Sequence, residues 1–474
     1  YMPLLEETGY MPVAKYARAP ELFEHSRRIG RHFNLYEKAL FQTEARDARW
    51  DENAARWMVT TNRGDLLRAK FIVVAGGLLH RPKLPGIPGV DTFKGHSFHT
   101  SRWDYAYTGG DSNGNLTGLA GKRVGIIGTG ATAVQVVPHV GAAAQELFVF
   151  QRTPSSIDVR DNKPTDPAWE ASLKPGWQQR RMDNFNALVS GQPQDEDLVN
   201  DGWTDIIGNL LAIARRDQGA FASPAAMAET MQLADFQKME QIRARVDSIV
   251  TDKATAEALK PYYNQFCKRP CFHDDYLATF NRPNVHLIDT SGQGVERIDE
   301  TGIWANGQHY EIDCLIYATG FEVGTAFTRR QGFEITGRGG LSLTEKWKDG
   351  AATYHGFFVR DFPNCFLISN VQSGFTANYP HMLDAQSKHV SYVIAEAQNR
   401  QARTVETNGG RLFSLALAHP APPPQATRAA TAHHLEAGGQ QRRSIAPPTT
   451  SWCPRFALRR VRRGGARRTP PPGP

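Results

Sequence analysis

A glycine-rich turn and two short cationic segments are the parts of this sequence whose residue types and spacing could do chemistry. The turn is Gly128-Thr129-Gly130-Ala131-Thr132-Ala133, which follows the apolar run 123–127 and leads into a helical pattern at 133–140. In a GxGxxA turn the first glycine permits a sharp bend, and the second lets backbone N–H groups approach a pyrophosphate. The small third residue lets helix and strand pack closely. Strand, turn and helix together predict a dinucleotide-binding unit.

The first cationic segment predicts which dinucleotide this unit binds. It follows the apolar run 147–150 and consists of Gln151-Arg152-Thr153-Pro154. Units that bind NAD usually place an acidic residue here, which accepts a hydrogen bond from the ribose 2′-hydroxyl. A cation and a hydroxyl group, Arg152 and Thr153, suit a 2′-phosphate instead. The sequence therefore predicts NADPH rather than NADH.

A second motif lies upstream of the turn, with the spacing Phe93-x-Gly95-x3-His99-x3-Trp103-Asp104. It resembles the fingerprint of the Baeyer–Villiger monooxygenases, which is Phe-x-Gly-x3-His-x3-Trp followed by Pro or Asp. The resemblance implies FAD and NADPH as cofactors, and a ketone and O2 as substrates, with an ester or lactone formed through a flavin peroxide. The flavin-containing monooxygenases that oxidise amines and sulfides are an alternative. Their fingerprint ends in Tyr where this chain has Trp103.

The resemblance also assigns roles to the second cationic segment, Lys268-Arg269-Pro270. It implies that Lys268 contacts the NADP 2′-phosphate and that Arg269 lies against the flavin. A buried guanidinium suits the reaction because it stabilises an oxyanion without releasing its proton, so Arg269 is the candidate catalytic residue. The family role of His99 and Trp103 is to couple domain movement to catalysis.

A further match is the apolar run that ends in Ala318-Thr319-Gly320, which resembles the strand-then-ATG segment of flavoproteins with two dinucleotide-binding domains. The resemblance implies that these small residues let the chain pass close to both cofactors. It covers residues 1 to about 404 without a large gap.

The expected fold class is α/β, with two dinucleotide-binding (Rossmann-like) domains and a helical insertion in the NADP domain. No strand–GxGxxG–helix unit precedes residue 71, so the chain resembles a fragment whose FAD-binding domain is incomplete. An alternative is therefore a catalytically inactive NADP-binding fragment, which would purify without flavin. The predicted parts are a partial FAD-binding domain with the fingerprint linker (1–119), an NADP-binding domain (120–300) with the insertion at about 155–260, a return to the FAD domain (301–406), and a disordered basic tail (407–474).

Charge and composition exclude other function classes. The net charge is +7, but the tail holds eleven arginines and one acid, Glu436, so the remainder of the chain is slightly acidic. That distribution favours no nucleic-acid partner for the body of the protein. The five cysteines lack the spacing of a zinc site or a disulfide framework, and no metal is expected. No apolar run is long enough to span a membrane, so a cytoplasmic location is expected. The oligomeric state stays open.

Overall fold

Runs of strands and runs of helices follow one another along the chain. The computed structural model describes residues 2–216, 223–368, 377–407 and 413–417. Its strands are β1 (Ala45–Asp51), β2 (Arg56–Thr61), β3 (Leu66–Ala69), β4 (Ile72–Val74), β5 (His96–His99), β6 (Arg123–Ile127), β7 (Glu146–Gln151), β8 (Ile157–Asp158), β9 (Cys271–Phe272), β10 (Val285–Asp289), β11 (Arg297–Ile298), β12 (Gly302–Ala305), β13 (Gln308–Glu311), β14 (Cys314–Tyr317), β15 (Glu334–Thr336), β16 (Cys365–Leu367), β17 (Ala402–Thr407) and β18 (Phe413–Leu417).

The helices follow the same chain order. They are α1 (Leu5–Thr8), α2 (Ala19–His32), α3 (Tyr105–Thr108), α4 (Ala131–Ala143), α5 (Pro167–Ser172), α6 (Trp177–Val189), α7 (Gly202–Arg216), α8 (Pro224–Ile249), α9 (Lys253–Leu259), α10 (Tyr276–Thr279), α11 (Phe327–Gln331), α12 (Leu343–Lys346) and α13 (Tyr379–Asn399).

The main sheet has five parallel strands in the order β10-β7-β6-β14-β5. Helices α4, α8 and α10 contribute to the apolar core on one face of it. The antiparallel strands β11, β12 and β13 contribute to the core on the other face. Because both faces are covered, the inner strands are apolar throughout, as in other α/β proteins. The predicted α/β fold class is confirmed.

Two strands of this sheet come from outside residues 120–300, the range predicted for the NADP-binding domain. Strand β14 lies between β6 and β5, and β5 contains the second half of the fingerprint. The sequence prediction placed β14 in the return to the FAD domain and β5 in the first domain. The reason for the difference is that every residue of β14 is buried. An apolar run of that kind predicts a buried strand but not the sheet to which it belongs.

A second region combines β1 to β4 with β15 and β16, which are far apart in the sequence. Strand β15 pairs in parallel with β1 and extends the sheet β15-β1-β2-β3, and β16 pairs in parallel with β4. The indole of Trp57 is fully buried in this region, and its Nε1 donates a hydrogen bond of 2.8 Å to the Pro363 carbonyl oxygen. Residues more than three hundred positions apart in the sequence thus form one core.

The predicted helical insertion contains α5 to α9. Met239, Ile242 and Val246, which the sequence placed on one helix face, are each 1% exposed, and Ile249 packs against the core of the main sheet. The first residues of the chain bind this insertion, since the Leu5 N–H donates to Gln178 Oε1 at 2.7 Å.

The predicted tail begins with a strand rather than with irregular chain. Strand β18 pairs antiparallel with β17, over Ala402 to Thr407. Apolar residues alternate in Phe413-Ser414-Leu415-Ala416-Leu417, which is a strand pattern that the bias towards Arg, Pro and Ala in the rest of the tail obscured. Residues 418–474 lie outside the described residues. Each helix in the described part of the chain lacks the length or the apolar character needed to cross a membrane.

Candidate active site

The glycine-rich turn lies at the carboxyl end of β6, and its shape depends on Gly128. This residue has a φ of 116°, and a Cβ added to it would lie 2.5 Å from the Ala318 carbonyl oxygen. Gly130 is the N-cap of α4, and a Cβ added there would meet no heavy atom within 4 Å. The open side of the turn is therefore at Gly130, beside the N-terminus of α4. This geometry fits the approach of a pyrophosphate.

The rest of the turn packs inward or begins the helix. Ala133 is fully buried, while Ala131 and Thr132 are partly exposed in the first turn of α4. Thr129 is buried, and its Oγ1 donates a hydrogen bond of 2.8 Å to the Thr153 carbonyl oxygen. Ser155 Oγ donates in turn to the Thr129 carbonyl oxygen at 2.6 Å. The sequence did not single out Ser155, because a serine beside a proline has no distinctive spacing.

Lys268 joins the turn to the first cationic segment. Its Nζ donates hydrogen bonds to Thr153 Oγ1, to the Thr153 carbonyl oxygen at 3.3 Å and to the Pro154 carbonyl oxygen at 3.2 Å. It also lies 5.1 Å from the centre of the Tyr263 ring. The structure thus brings together Thr153 and Lys268, which lie 115 residues apart in the sequence.

Arg152, Thr153 and Lys268 together are called the Lys268 cluster. The electrostatics of this cluster favour a negatively charged ligand. Burial, assisted by the charge of Arg152, lowers the pKa of Lys268 to about 8. The Arg152 side chain is exposed, so it is free to contact a ligand. Two cations that repel each other and a threonine hydroxyl together form a site whose electrostatic energy a phosphate dianion would lower.

Arg269 has a different environment from the one the sequence predicted. The side chain is exposed, and its guanidinium carbon lies 5.8 Å from the centre of the Trp203 ring. The expected buried setting is therefore not found. Arg269 follows a 3-10 turn, Gln265–Cys267, and precedes the two-residue strand β9, so its segment runs along the protein surface.

The segment Ala318-Thr319-Gly320 joins the main sheet to the connector that follows β4. The Ala318 N–H donates to the Ile127 carbonyl oxygen at 3.0 Å, which continues the pairing of β14 with β6. Beyond that point the chain pairs with the connector instead. Thr319 Oγ1 donates to the Lys83 carbonyl oxygen at 2.6 Å, and the Lys83 N–H donates to the Gly320 carbonyl oxygen at 2.9 Å.

The same antiparallel pairing continues for two more residues. Pro82 forms a bridge with Phe321, and the Glu322 N–H donates to the Arg81 carbonyl oxygen at 3.0 Å. We call residues 81–83 and 319–322 together the connecting ribbon. It consists of the two chain segments that leave and re-enter the second region.

Close approach of the backbone explains Phe93 and Gly95 of the fingerprint. A Cβ added to Gly95 would clash with the Phe93 ring and would lie 2.8 Å from the Asp313 carbonyl oxygen. The His96 N–H donates to that same oxygen at 3.1 Å and starts the pairing of β5 with β14. Gly95 therefore lets the fingerprint strand join the main sheet.

His99 ends β5 and is 5% exposed. Its Nδ1 accepts a hydrogen bond from the Ser101 N–H at 3.2 Å, so the proton of the neutral ring is on Nε2. That Nε2 is buried and has no hydrogen-bond partner among the described residues. Burial lowers the pKa of His99; the nearby Gly320 backbone acts in the opposite direction and Arg102 in the same direction. The imidazole is thus a neutral donor near the connecting ribbon.

Trp103 and Asp104 stabilise the chain after β5. The Trp103 ring makes an edge contact with Phe98 at 5.1 Å, and its Nε1 donates to Thr108 Oγ1 at 3.0 Å. Asp104 caps α3 by accepting from the Tyr107 N–H at 3.2 Å, and its other oxygen lies 3.0 Å from His96 Nε2. Neither side chain lies in the Lys268 cluster.

Sequence reasoning missed a group of polar side chains at the carboxyl end of β4. The atoms involved are buried nitrogen and oxygen atoms of Arg330, Gln331 and Tyr379, and they have no hydrogen-bond partner among the described residues. Gly76 leaves room for Gln331, since a Cβ there would clash with Gln331 Oε1. No recognised spacing links these residues, so no sequence signal could have found them.

Comparison with known proteins agrees with this geometry. The flavin-binding monooxygenase-like family matches residues 11–171. Neopentalenolactone D synthase of Streptomyces avermitilis is 57% identical over 410 residues, which are 86% of this chain and 69% of that protein. A Baeyer–Villiger monooxygenase of Streptomyces coelicolor is 46% identical over 407 residues, which are 85% of this chain and 67% of that protein. The chain belongs to the Baeyer–Villiger monooxygenase family.

A solved structure extends the agreement to the fold. The polycyclic ketone monooxygenase from Thermothelomyces thermophila is 42% identical, with a TM-score of 0.79 over 87% of this chain and 69% of that one. FAD and NADP are bound together in another solved structure that matches this chain at 26% identity. The predicted flavin-dependent, NADPH-dependent ketone monooxygenation and the cofactors FAD and NADPH are confirmed. These relatives favour the ketone-oxidising branch over the amine- and sulfide-oxidising one.

Proposed function

We propose that this chain oxygenates a polycyclic ketone to a lactone or ester. One oxygen atom of O2 enters the product, and the other leaves as water while NADPH and a proton are consumed. The proposal about substrate class is supported by relatives whose names refer to a lactone synthase and to a polycyclic ketone monooxygenase. Cofactor chemistry is supplied by FAD, which when bound carries electrons from NADPH to O2.

The observation that carries the proposal is the meeting of three motifs at the carboxyl ends of β6, β14 and β5. Gly128 of the turn lies against Ala318 after β14, and the Gly320 backbone acts to raise the pKa of His99, the last residue of β5, against the effect of burial. These strands are neighbours in a parallel sheet. Ligands of such sheets bind beyond the carboxyl ends of the strands. The dinucleotide turn, the ATG segment and the fingerprint therefore border one site.

Selection of NADPH follows from the Lys268 cluster. The pyrophosphate of the cofactor would lie at Gly130 and the N-terminus of α4, and its 2′-phosphate would contact Arg152, Thr153 and Lys268. The hydrogen bonds of Lys268 to Thr153 and Pro154 hold its amine in position beforehand. A pre-positioned charge loses little side-chain entropy on binding.

Arg269 is the residue that we propose to act on the reacting oxygen atoms. It directly follows Lys268, whose amine Thr153 and Pro154 hold in place, so the two cations share one segment. A guanidinium stabilises an oxyanion that develops at the ketone oxygen and does not release its proton at any working pH. His99, neutral and buried beside the ribbon, keeps a positioning role.

The test is oxygenation of a fused bicyclic ketone by the FAD-loaded protein under 18O2, with an alkyl sulfide assayed in parallel. We expect a lactone that contains one heavy oxygen atom, formed at the expense of one NADPH. Arg269→Met should lower the rate by about 100- to 1000-fold, the usual cost of removing one oxyanion donor. Arg282→Met, a change at an exposed arginine after α10, is the matched control. Sulfoxide formation without any lactone would contradict the proposal.

A further inference from the structure

A tyrosine contacts the amine of Lys268. The Nζ atom of Lys268 lies over the Tyr263 ring, 5.1 Å from its centre. The Tyr263 hydroxyl group donates a hydrogen bond of 3.0 Å to the Pro154 carbonyl oxygen, 109 positions away in the sequence. Lys268 Nζ donates to the same oxygen at 3.2 Å. A carbonyl oxygen has two lone pairs and can accept from both side chains. Tyr263 is thus joined to Lys268 through its ring and through a shared acceptor.

The hydroxyl group fixes the orientation of this ring. Tyr263 lines a cavity of about 170 Å³, to which Phe236 and Met239 of α8 also contribute. Because part of the ring faces this cavity, close packing does not hold it from every side. Burial raises the pKa of Tyr263, while Ser156 acts in the opposite direction, so the hydroxyl group stays protonated and donates at any working pH. The bond to Pro154 therefore keeps the ring against the amine.

An aromatic partner leaves the charge of Lys268 available to a ligand. Burial and the charge of Arg152 lower the pKa of Lys268, and no carboxylate is among the described groups that act on it. The face of an aromatic ring attracts an ammonium group electrostatically. A carboxylate in the same place would neutralise the amine and compete with a phosphate, whereas a ring does neither. Tyr263 thus stabilises the cation and preserves its affinity for an anion.

The adjacent tyrosine has other partners. The Tyr262 hydroxyl group donates to Glu257 Oε1 at 2.7 Å, and the Tyr262 ring lies 5.0 Å from the guanidinium carbon of Arg243. Tyr262 lines the same cavity and is 56% exposed. Its contacts are therefore with α8 and α9. Of these two described tyrosines, Tyr263 is the one that contacts Lys268.

We propose that Tyr263 is a positioning residue through which Lys268 selects NADPH over NADH. The ring keeps the charged amine beside Thr153, and the hydroxyl group keeps the ring in place. The inference rests on the proposed function, in which Lys268 contacts the 2′-phosphate of NADPH. NADH lacks that phosphate, so Tyr263 does not contribute to NADH binding through Lys268.

The experiment measures the dissociation constants of NADP+ and NAD+ for the full chain in the presence of FAD, by titration calorimetry. The oxidised cofactors are used because they do not start turnover. Tyr263→Leu removes the ring and the hydroxyl group, and it should weaken NADP+ by about 3- to 30-fold, as expected for a lost cation–π contact. NAD+ binding should stay unchanged. Tyr263→Phe keeps the ring and should retain most of the preference for NADP+.

Tyr262→Leu is the matched control, because it makes the same substitution at the adjacent position of the same cavity. It should change neither dissociation constant. If Tyr263→Leu does not fold, Tyr263→Met is judged by the same criteria. A Tyr263→Leu protein that matches Tyr262→Leu in both constants would overturn the inference.

A double-mutant cycle with Lys268→Ala separates positioning from packing. If Tyr263 acts through Lys268, Tyr263→Leu has no further effect on the ratio of the two dissociation constants in the Lys268→Ala background. A tyrosine that only supports the fold would weaken both cofactors by the same factor in either background, and the inference would then be wrong.

Failure of the proposed function gives a different result. Lys268→Ala would then leave the ratio of the two dissociation constants unchanged, which removes the role of Lys268 and the inference together. A changed ratio in Lys268→Ala with an unchanged ratio in Tyr263→Leu removes only the inference.

Discussion

Two cations lie close to the carboxyl ends of parallel strands in this protein, and their surroundings are opposite. Lys268 is surrounded by acceptors, since Thr153 and Pro154 accept hydrogen bonds from its amine. Arg330 is buried, and two of its nitrogen atoms have no hydrogen-bond partner among the described residues. A site that is satisfied without its ligand can exchange that ligand at little cost to the fold. A site that lacks partners depends on its ligand for stability. We therefore expect NADPH to exchange at little cost to the fold, and we expect the charge of Arg330 to destabilise the ligand-free protein more than that of Lys268 does.

The largest expected effect on stability is at Gly128, in the turn that we propose binds NADPH. Gly128→Ala should lower the free energy of unfolding by about 2–4 kcal/mol, because a positive φ and a clash with the Ala318 carbonyl oxygen combine there. Gly121→Ala separates the two causes. Gly121 has a φ of 74° but open space around it, so about 1–2 kcal/mol is expected. Urea unfolding measures both. Equal losses would show that the clash with Ala318 is relieved by a local shift.

The contrast between Arg330 and Lys268 can be tested by removing each charge from the ligand-free protein. Arg330→Met should raise the free energy of unfolding by about 1–3 kcal/mol, because an apolar side chain of similar length replaces an unpaired buried charge. Lys268→Met should change it by less than about 1 kcal/mol, since three lost hydrogen bonds offset the relief of burial. Thermal unfolding of both variants without cofactor decides the point. A destabilised Arg330→Met protein would mean that the guanidinium is already paired.

A smaller effect is the pH dependence of NADPH binding. Protonated Lys268 binds the phosphate, and its pKa is about 8 in the free protein. The affinity for NADPH should thus be constant below pH 8 and fall above it, by up to about tenfold per pH unit. Titrations with NADPH and NADH between pH 6.5 and pH 9.5 would show this. NADH, which lacks the 2′-phosphate, should show no such fall.

Lys268→Ala is the control for that titration. It should weaken NADPH binding by about 1–3 kcal/mol and remove the dependence of that binding on pH, while NADH binding is unchanged.

The stability of the ligand-free protein should change with pH in the direction opposite to NADPH affinity. The folded-state pKa lies below the ordinary value of about 10.4, so the unfolded chain holds the proton more tightly. Ligand-free stability should therefore rise with pH between about 8 and 10. Equal weakening of both cofactors by Lys268→Ala would contradict the role assigned to this residue.

The smallest effect on stability is expected at the fingerprint residue Asp104, which contacts neither the Lys268 cluster nor Arg330 in the described part of the chain. Asp104→Ala removes the cap of α3 and the contact with His96, and it should cost about 1 kcal/mol of stability. Asp104→Asn keeps the cap and should cost less. Both variants should bind NADPH normally. A loss of NADPH affinity in Asp104→Asn would show that the fingerprint reaches the cofactor directly.

Local chemistry was predictable from the sequence, but the sheet to which a strand belongs was not. The turn at Gly128 and the buried face of α8 each follow from spacing within a few residues. That Lys268 meets Thr153 was predicted only through family resemblance. The membership of β5 and β14 in one sheet depends on contacts between distant segments, which an apolar run does not encode. The exposure of Arg269 depends on how its surface segment packs. Arg330, Gln331 and Tyr379 come from two distant segments that share no motif.

The connecting ribbon has a mechanical consequence. Its two antiparallel segments are hydrogen-bonded from Arg81 and Lys83 to Glu322 and Gly320, so the two halves of the molecule are joined by a double strip instead of two separate tethers. A double strip flexes easily across its thin dimension, whereas torsion or sliding would break the bond between Thr319 and Lys83. We therefore expect any relative movement of the two regions to be a tilt across this strip and not a twist about it.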